Sequence, residues 1–236
     1  MSLYSRFKGA LRRQGIKGTV VKTVGVIADY WFDWRHGTDT IATARLEQLT
    51  IDTESREHGT SYEGIRVLPA RRAIPYLRQR VDGGVFVDLG CGKGKAVMIA
   101  AQVGMPARGI EFARELCDVA RRNWKSFQTK AGCRAELCEI IEGDVTTYAY
   151  PTDETIYFIN NPFDEVILAK VVASVTASAQ RSPRRVLIVI CNLSPHFRAV
   201  MDQQQEFKLI EVPVFWSYPF SVFSNQPDQA GRLAGE

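Results

Sequence analysis

The sequence is poor in the residues that would brace a fold covalently or through a metal. Its five cysteines (Cys91, Cys117, Cys133, Cys138 and Cys191) are odd in number and form no Cys-x-x-Cys pair. Neither a disulfide framework nor a zinc site is expected, only buried thiols in a reducing compartment. No apolar run reaches the roughly 20 residues that cross a bilayer, and no signal-peptide cleavage pattern follows the N-terminus. A cytoplasmic protein is therefore the expectation. Internal repeats, low-complexity linkers and recognisable nucleic-acid-binding motifs are also missing, so a nucleic acid is not the expected partner.

A local absence is more informative. The net charge is +4, yet residues 1–28 contain no acid and six bases: Arg6, Lys8, Arg12, Arg13, Lys17 and Lys22. Leu3, Phe7 and Leu11 recur among them at helical spacing. Such an arm can make peripheral contact with an anionic membrane or touch nucleic acid. Docking on the protein body is the favoured reading, because Gly15 and Gly18 interrupt the pattern. Residues 19–34 then turn apolar and aromatic, with Asp29 and Asp33 arguing against a membrane span. They read as a helix packed over the main body and ended at Gly37, with Tyr30, Trp31, Phe32 and Trp34 reading first as core packing and second as a lid over a binding site.

What is present is an ordinary globular balance, 45% hydrophobic and 24% charged over 236 residues, enough for one large α/β domain with an appendage. After a helix bearing Pro75, apolar strands and amphipathic helices alternate: VFVDLG, then GKAVMIAAQVG; ARGIEF, then ARELCDVARRNWKSF; LCEIIEGD; TIYFIN, followed by a helix; and RRVLIVICN. Two closely spaced strands, FKLIEVPVF and FSVFSN, end the series. The alternation predicts a doubly wound, mostly parallel, seven-stranded sheet with a terminal antiparallel hairpin. Residues 1–61 form a helical arm or lid, and 62–236 form the ligand-binding domain.

The strongest local signal is VDLGCGKGKA, where Gly90, Gly92 and Gly94 alternate at the turn from first strand to first helix. Glycines there admit a ligand close to the backbone, and a helix N-terminus offers free N–H groups. A phosphate-binding P-loop needs Gly-Lys followed by Ser or Thr, but Ala96 follows Lys95, and position 89 is Leu. A dinucleotide fingerprint needs a third glycine where Lys95 stands. The observed acid-x-Gly-x-Gly-x-Gly, beginning at Asp88, resembles the first motif of the class I S-adenosylmethionine-dependent methyltransferases, a Rossmann-like family. Glu111 ends the second strand 21 positions after Gly90, where an acid can accept both hydroxyls of a ribose.

That resemblance implies S-adenosylmethionine as cofactor and no metal. It implies that the loop backbone, with Cys91, lines the ligand and that Asp88 organises the loop near the ammonium group. Glu111 and the adjoining Phe112 would meet the ribose. Asp144 would hold the adenine amino group beside the Val145 backbone N–H, and Tyr62 would be a further cofactor contact. Taken alone, Asp144 reads equally well as a turn or helix cap. His36, His58 and His196 read as structural or surface residues rather than catalytic bases.

The fourth strand ends in NNPF, residues 160–163. Asn161 suits a helix N-cap and Pro162 a first helical position, which leaves Asn160 and Phe163 without a structural reason. The turn is similar to the Asp/Asn/Ser-Pro-Pro-aromatic signature of amine-directed methyltransferases. In that signature the first side chain accepts hydrogen bonds from the target amine and the aromatic ring packs against it. Asn161 replaces the expected proline, a departure that weighs against a nucleobase target. Asn160 and Phe163 are thus the candidate catalytic residues, for methylation of a nitrogen on a small molecule or protein side chain. An NAD-dependent oxidoreductase and a non-catalytic S-adenosylmethionine-binding module are the rival readings.

Overall fold

The computed structural model describes residues 3–227. A long helix α1 (Leu3–His36) runs through both Gly15 and Gly18 without a break, and Gly37 closes it with φ +63°. The interruption expected at the two glycines is absent, because glycine in a helix costs only about 1 kcal/mol and tertiary docking of residues 28–36 outweighs it. Phe32 is fully buried, packed beside Phe127 and His36. Residues 38–66 carry two short 3-10 turns, Leu46–Gln48 and Glu54–His58. Helix α2 (Val67–Arg78) tolerates Pro75 in its interior and buries Val67, Ala70, Ile74 and Leu77 on one face.

Alternation of strand and helix then proceeds as the apolar runs require. The elements are β1 (Val85–Leu89), α3 (Lys95–Gln102), β2 (Ala107–Glu111), α4 (Arg114–Ala131), β3 (Cys138–Glu142), β4 (Glu154–Ile159), α5 (Glu165–Arg181), β5 (Leu187–Cys191) and α6 (Pro195–Asp202). Three strands follow: β6 (Lys208–Glu211), a two-residue β7 (Val214–Phe215) and β8 (Tyr218–Ser224). The sheet order is β3-β2-β1-β4-β5-β8-β6, with β7 paired to β8 off this path. Strands β1 to β5 are parallel, whereas β8 lies antiparallel between β5 and β6. The expected terminal antiparallel pair is therefore present, and the short β7 raises the strand number from seven to eight.

Period-two alternation divides the core into two layers. Phe86, Ile156, Phe158, Leu187, Val189, Phe220 and Val222 face the side covered by α1 to α4. Val85, Val87, Leu89, Tyr157, Ile159, Ile188 and Ile190 face α5 and α6. Chain order reverses at β1, which has β2 on one side and β4 on the other. A crevice must open there at the carboxyl ends of the strands, because the crossovers from β1 and β4 leave in opposite directions.

Candidate active site

The crevice is a single cavity whose walls come from five segments. The β1 end supplies Asp88, Gly90, Cys91 and Gly92; the β2 end, Glu111 and Phe112; the loop after β3, Asp144 and Val145; and the β4 end, Asn160 to Phe163. Ser55 and residues 59–65, including Tyr62, close it from above. Every candidate site residue except Gly94 lines this one cavity. Gly94, with φ +82°, instead starts α3 beneath it and packs near Ala120.

Two buried carboxylates dominate the floor. Asp88 is 5% exposed, and no hydrogen bond reaches its carboxylate among the described residues. Burial, then the nearby charge of Glu111, pushes its pKa well above the carboxylate range. Glu111 is held more firmly, accepting from the Gly92 N–H and the Ala113 N–H, each at 2.9 Å. Burial still lifts its pKa from 4.5 to about 7, because the backbone N–H groups of Ala113, Gly92 and Phe112 offset only part of the lost hydration. A floor of this kind favours a ligand that brings a cationic or strongly hydrogen-donating group. The same burial pushes the Cys91 thiol up, which keeps it protonated.

Asp144 is partly spent on its own loop, accepting from the Thr146 N–H and hydroxyl at 2.8 Å. Burial opposes its ionisation, but the Ser55 hydroxyl and the Thr146 donors outweigh it and hold the pKa below the usual value. Asp144 is thus both turn cap and cavity wall. The Val145 side chain is buried beside it, and its carbonyl accepts from Tyr150.

Backbone shape in the glycine loop answers to protein as much as to ligand. Gly90 and Gly92 have φ of +78° and +53°. A Cβ at Gly90 would collide with Pro162, and one at Gly92 would collide with the Tyr62 ring. Tyr62 is anchored there by its hydroxyl, which donates to the Thr40 carbonyl at 2.9 Å. Below the loop, Lys95 is buried and paired with Asp29 of α1 at 3.3 Å. Asp29 also accepts from Arg66 and from the Val67 N–H, both at 2.8 Å, so α1 is tied to the start of α2 and to the start of α3.

The NNPF turn departs from the cap expected of it. Asn161 adopts φ +55°, the left-handed region in which asparagine is among the better tolerated residues. The N-cap of α5 is Asp164, whose side chain accepts from Val166 N–H and Ile167 N–H. Asn161 and Pro162 therefore make a reversal before the helix, not its first turn. Asn160 is half-buried, and its Nδ2 donates to the Glu63 carbonyl at 3.3 Å, which leaves Oδ1 with no partner among the described residues. Phe163 is buried with its ring stacked on Phe197, centroids 6.2 Å apart.

Residues 58–63 form a strap across this turn. Thr60 N–H donates to the Pro162 carbonyl at 3.1 Å, Thr60 Oγ1 to the Asn161 carbonyl at 2.5 Å, and Asp164 N–H to the His58 carbonyl at 3.0 Å. Gly59 and Phe163 form an isolated antiparallel bridge, and His58 Nδ1 lies 2.6 Å from Asp164 Oδ2. This strap covers the cavity, and the aromatic cluster of α1 lines no part of it. Tyr30, Trp31 and Trp34 are instead exposed on α1, and Phe32 belongs to the core, because α1 turns only one face to the body. His36 is buried and His196 exposed, and neither lines the cavity. Ser55, Thr60 and Glu63 were not singled out from sequence; their only signal is a polar, glycine-punctuated stretch with no apolar period.

A family model described as a methyltransferase domain matches residues 80–206. A Mus musculus protein named probable tRNA (uracil-O(2)-)-methyltransferase is 32% identical over 103 residues, covering 39% of this chain. The match spans only 12% of the mouse protein's length. An RNA methyltransferase from Salinibacter ruber, crystallised with S-adenosyl-L-homocysteine, superposes with a TM-score of 0.50 at 18% identity, covering 70% of this chain and 95% of that one. The glycopeptide N-methyltransferase MtfA superposes with a TM-score of 0.52 at 13% identity, covering 67% and 96%. At these identities the two structures bear on the fold.

Proposed function

The chain belongs to the class I S-adenosylmethionine-dependent methyltransferases, and we propose that it methylates a nitrogen of a small molecule or protein side chain. The observation that carries this reading is Asn160, whose Nδ2 is engaged by Glu63 while Oδ1 stays unpaired on the cavity wall. An amine N–H donated to that oxygen fixes the direction of the nitrogen lone pair. No general base is required when the acceptor is a neutral amine, which agrees with the absence of histidine from the cavity lining.

When bound, S-adenosylmethionine supplies an electrophilic methyl group carried on a sulfonium. The residues around it have distinct tasks on this reading. Asp88, buried and free of hydrogen bonds, takes the ammonium group; Glu111, beside Phe112, accepts the ribose hydroxyls. Asp144 and the Val145 N–H address the adenine, while the Gly90–Gly92 backbone, Cys91 and Tyr62 shape the passage between them. Residues 1–61 act as arm and lid, the lid being completed by the strap. Since the reaction is a direct displacement, holding the acceptor in line accounts for much of the acceleration.

A nucleic-acid acceptor is the second reading. It is favoured by the mouse relative, named a probable tRNA methyltransferase, and by the six bases of residues 1–28. The commitment of the Phe163 ring to Phe197 argues against it, since a base would need that face for stacking. The test is a calorimetric titration with S-adenosylmethionine and with NAD, followed by methyl transfer to amine libraries, peptides and RNA. Saturable binding of S-adenosylmethionine with transfer to an amine sustains the proposal. Transfer confined to RNA, or to an oxygen, would overturn the acceptor class, and binding of NAD alone would overturn the cofactor role of the site.

A further inference from the structure

Helix α1 packs one face against the body and carries an apolar ridge on the opposite, exposed face. Asp29, Phe32 and His36 turn inward against α2 and α4. Val20, Val24, Ile27, Trp31 and Trp34 follow one another at intervals of four, three, four and three, so they line up as one ridge on the opposite side. All five are exposed, Ile27 by 62% and Trp34 by 77%, and Tyr30 flanks them at 62%. At 1.5 Å per residue the ridge is about 21 Å long. Single exposed apolar residues need no explanation, but an unbroken ridge ending in two tryptophans does.

We propose that this ridge docks the protein onto the surface of an anionic phospholipid bilayer, the helix lying in the interface plane. Charge selects this occupant. The N-terminal part of the same helix brings five bases and no acid, and Lys22 is exposed within the ridge segment. A second copy packed in parallel would set these bases against each other. Packed antiparallel, it would set them against residues 29–36, whose acids are already engaged: Asp29 by Arg66 and Lys95, Asp33 by Thr38 and Thr40. RNA would satisfy the bases and leave two tryptophans uncovered. An anionic bilayer satisfies both halves, with bases at the headgroups and indoles at the boundary of the acyl chains. No helix among the described residues is long and apolar enough to cross a membrane, which is consistent with lying on one.

The test uses the full chain and phosphatidylcholine vesicles with and without phosphatidylglycerol, at low and high salt. The wild type is expected to sediment with the anionic vesicles only, with a blue shift of tryptophan emission, and to be released by salt. A triple variant, Ile27→Ser, Trp31→Ser and Trp34→Ser, removes exposed side chains only, so its melting temperature and cofactor binding should match the wild type. Its partition onto anionic vesicles should fall by at least about tenfold, one decade in the partition constant. Undiminished binding of the triple variant would overturn the ridge as the contact. Wild-type protein that ignores both vesicles would overturn the proposal. So would vesicle-silent protein that light scattering shows to be a dimer dissolved by the variant, or one that binds only an RNA homopolymer.

Discussion

The raised pKa of Glu111 gives the cofactor site a pH dependence that can be measured and then abolished. With a pKa of about 7 in the free protein, only about a tenth of the molecules carry the Glu111 charge at pH 6, against about nine-tenths at pH 8. If the carboxylate accepts the ribose hydroxyls, binding stabilises the ionised form and pulls its pKa down. Affinity for S-adenosylmethionine should then weaken by about tenfold between pH 8 and pH 6 through this group alone. Protonation of the ligand's own amine adds a separate dependence. The informative quantity is therefore the difference in slope between wild type and Glu111→Gln, both followed by calorimetry. Equal slopes would show either that Glu111 does not titrate in this window or that the ribose lies elsewhere.

The stability of the free protein must move in the matching direction. Between pH 4.5 and about 7 the native state keeps a proton that the unfolded chain has released. Stability therefore falls as pH rises through that window, by up to about 3 kcal/mol from this group. Saturating cofactor should flatten the loss. A free protein whose chemical denaturation midpoint does not decline through the window, once other groups are allowed for, would contradict the burial argument.

Substitutions at five further positions probe the rest of the site. Asn160→Ala should reduce kcat far more than cofactor affinity or melting temperature, since Oδ1 acts only when the acceptor is aligned; normal turnover would remove Asn160 from the reaction. Asp164→Ala should cost about 1 kcal/mol as the lost cap of α5, and Asn161→Ala a similar amount as strain at positive φ, whereas Asn161→Gly should be near neutral in thermal unfolding. Gly92→Val should lose cofactor binding because its side chain would displace Tyr62; unchanged affinity in a folded variant would separate the loop from the ligand. Asp29→Ala should destabilise by about 3–5 kcal/mol, because it leaves the buried Lys95 ammonium unpaired, and adding Lys95→Met should recover much of that loss.

The parallel sheet was legible because its central strands β1, β4 and β5 are buried on both faces and so read as apolar runs, from VFVDL to LIVIC. Right-handed crossovers then place the helices on opposite faces of the sheet once the strand order reverses at β1. The weak points were places where one local signal had two structural uses. Asparagine before proline suits a cap and also suits a left-handed turn. Only the competition with Asp164, three residues later and better placed to meet Val166 and Ile167, decides between them. Gly15 and Gly18 posed the same difficulty: glycine marks a helix end when nothing else holds the helix.

The cover of the site was illegible for a different reason. The aromatic cluster at 30–34 reads first as core packing, which holds for Phe32 and not for Tyr30, Trp31 or Trp34, because side-chain type carries no information about which face of a helix meets the body. Asp29 holds that information, since it bonds the Val67 N–H, Arg66 and Lys95 together. Satisfying it fixes the rotation of the helix and sends the tryptophans outward. The strap is cryptic in the opposite sense. Beside side-chain bonds from Thr60 Oγ1 and His58 Nδ1, it meets the NNPF turn and Asp164 through backbone atoms of Thr60, His58 and Glu63 that any residue would possess. A sequence announces side chains. The closure of this cavity depends on carbonyls and amides, positioned by Gly59 against Phe112 and by Tyr62 against Gly92. Its reach over residues about a hundred positions away could only come from the fold.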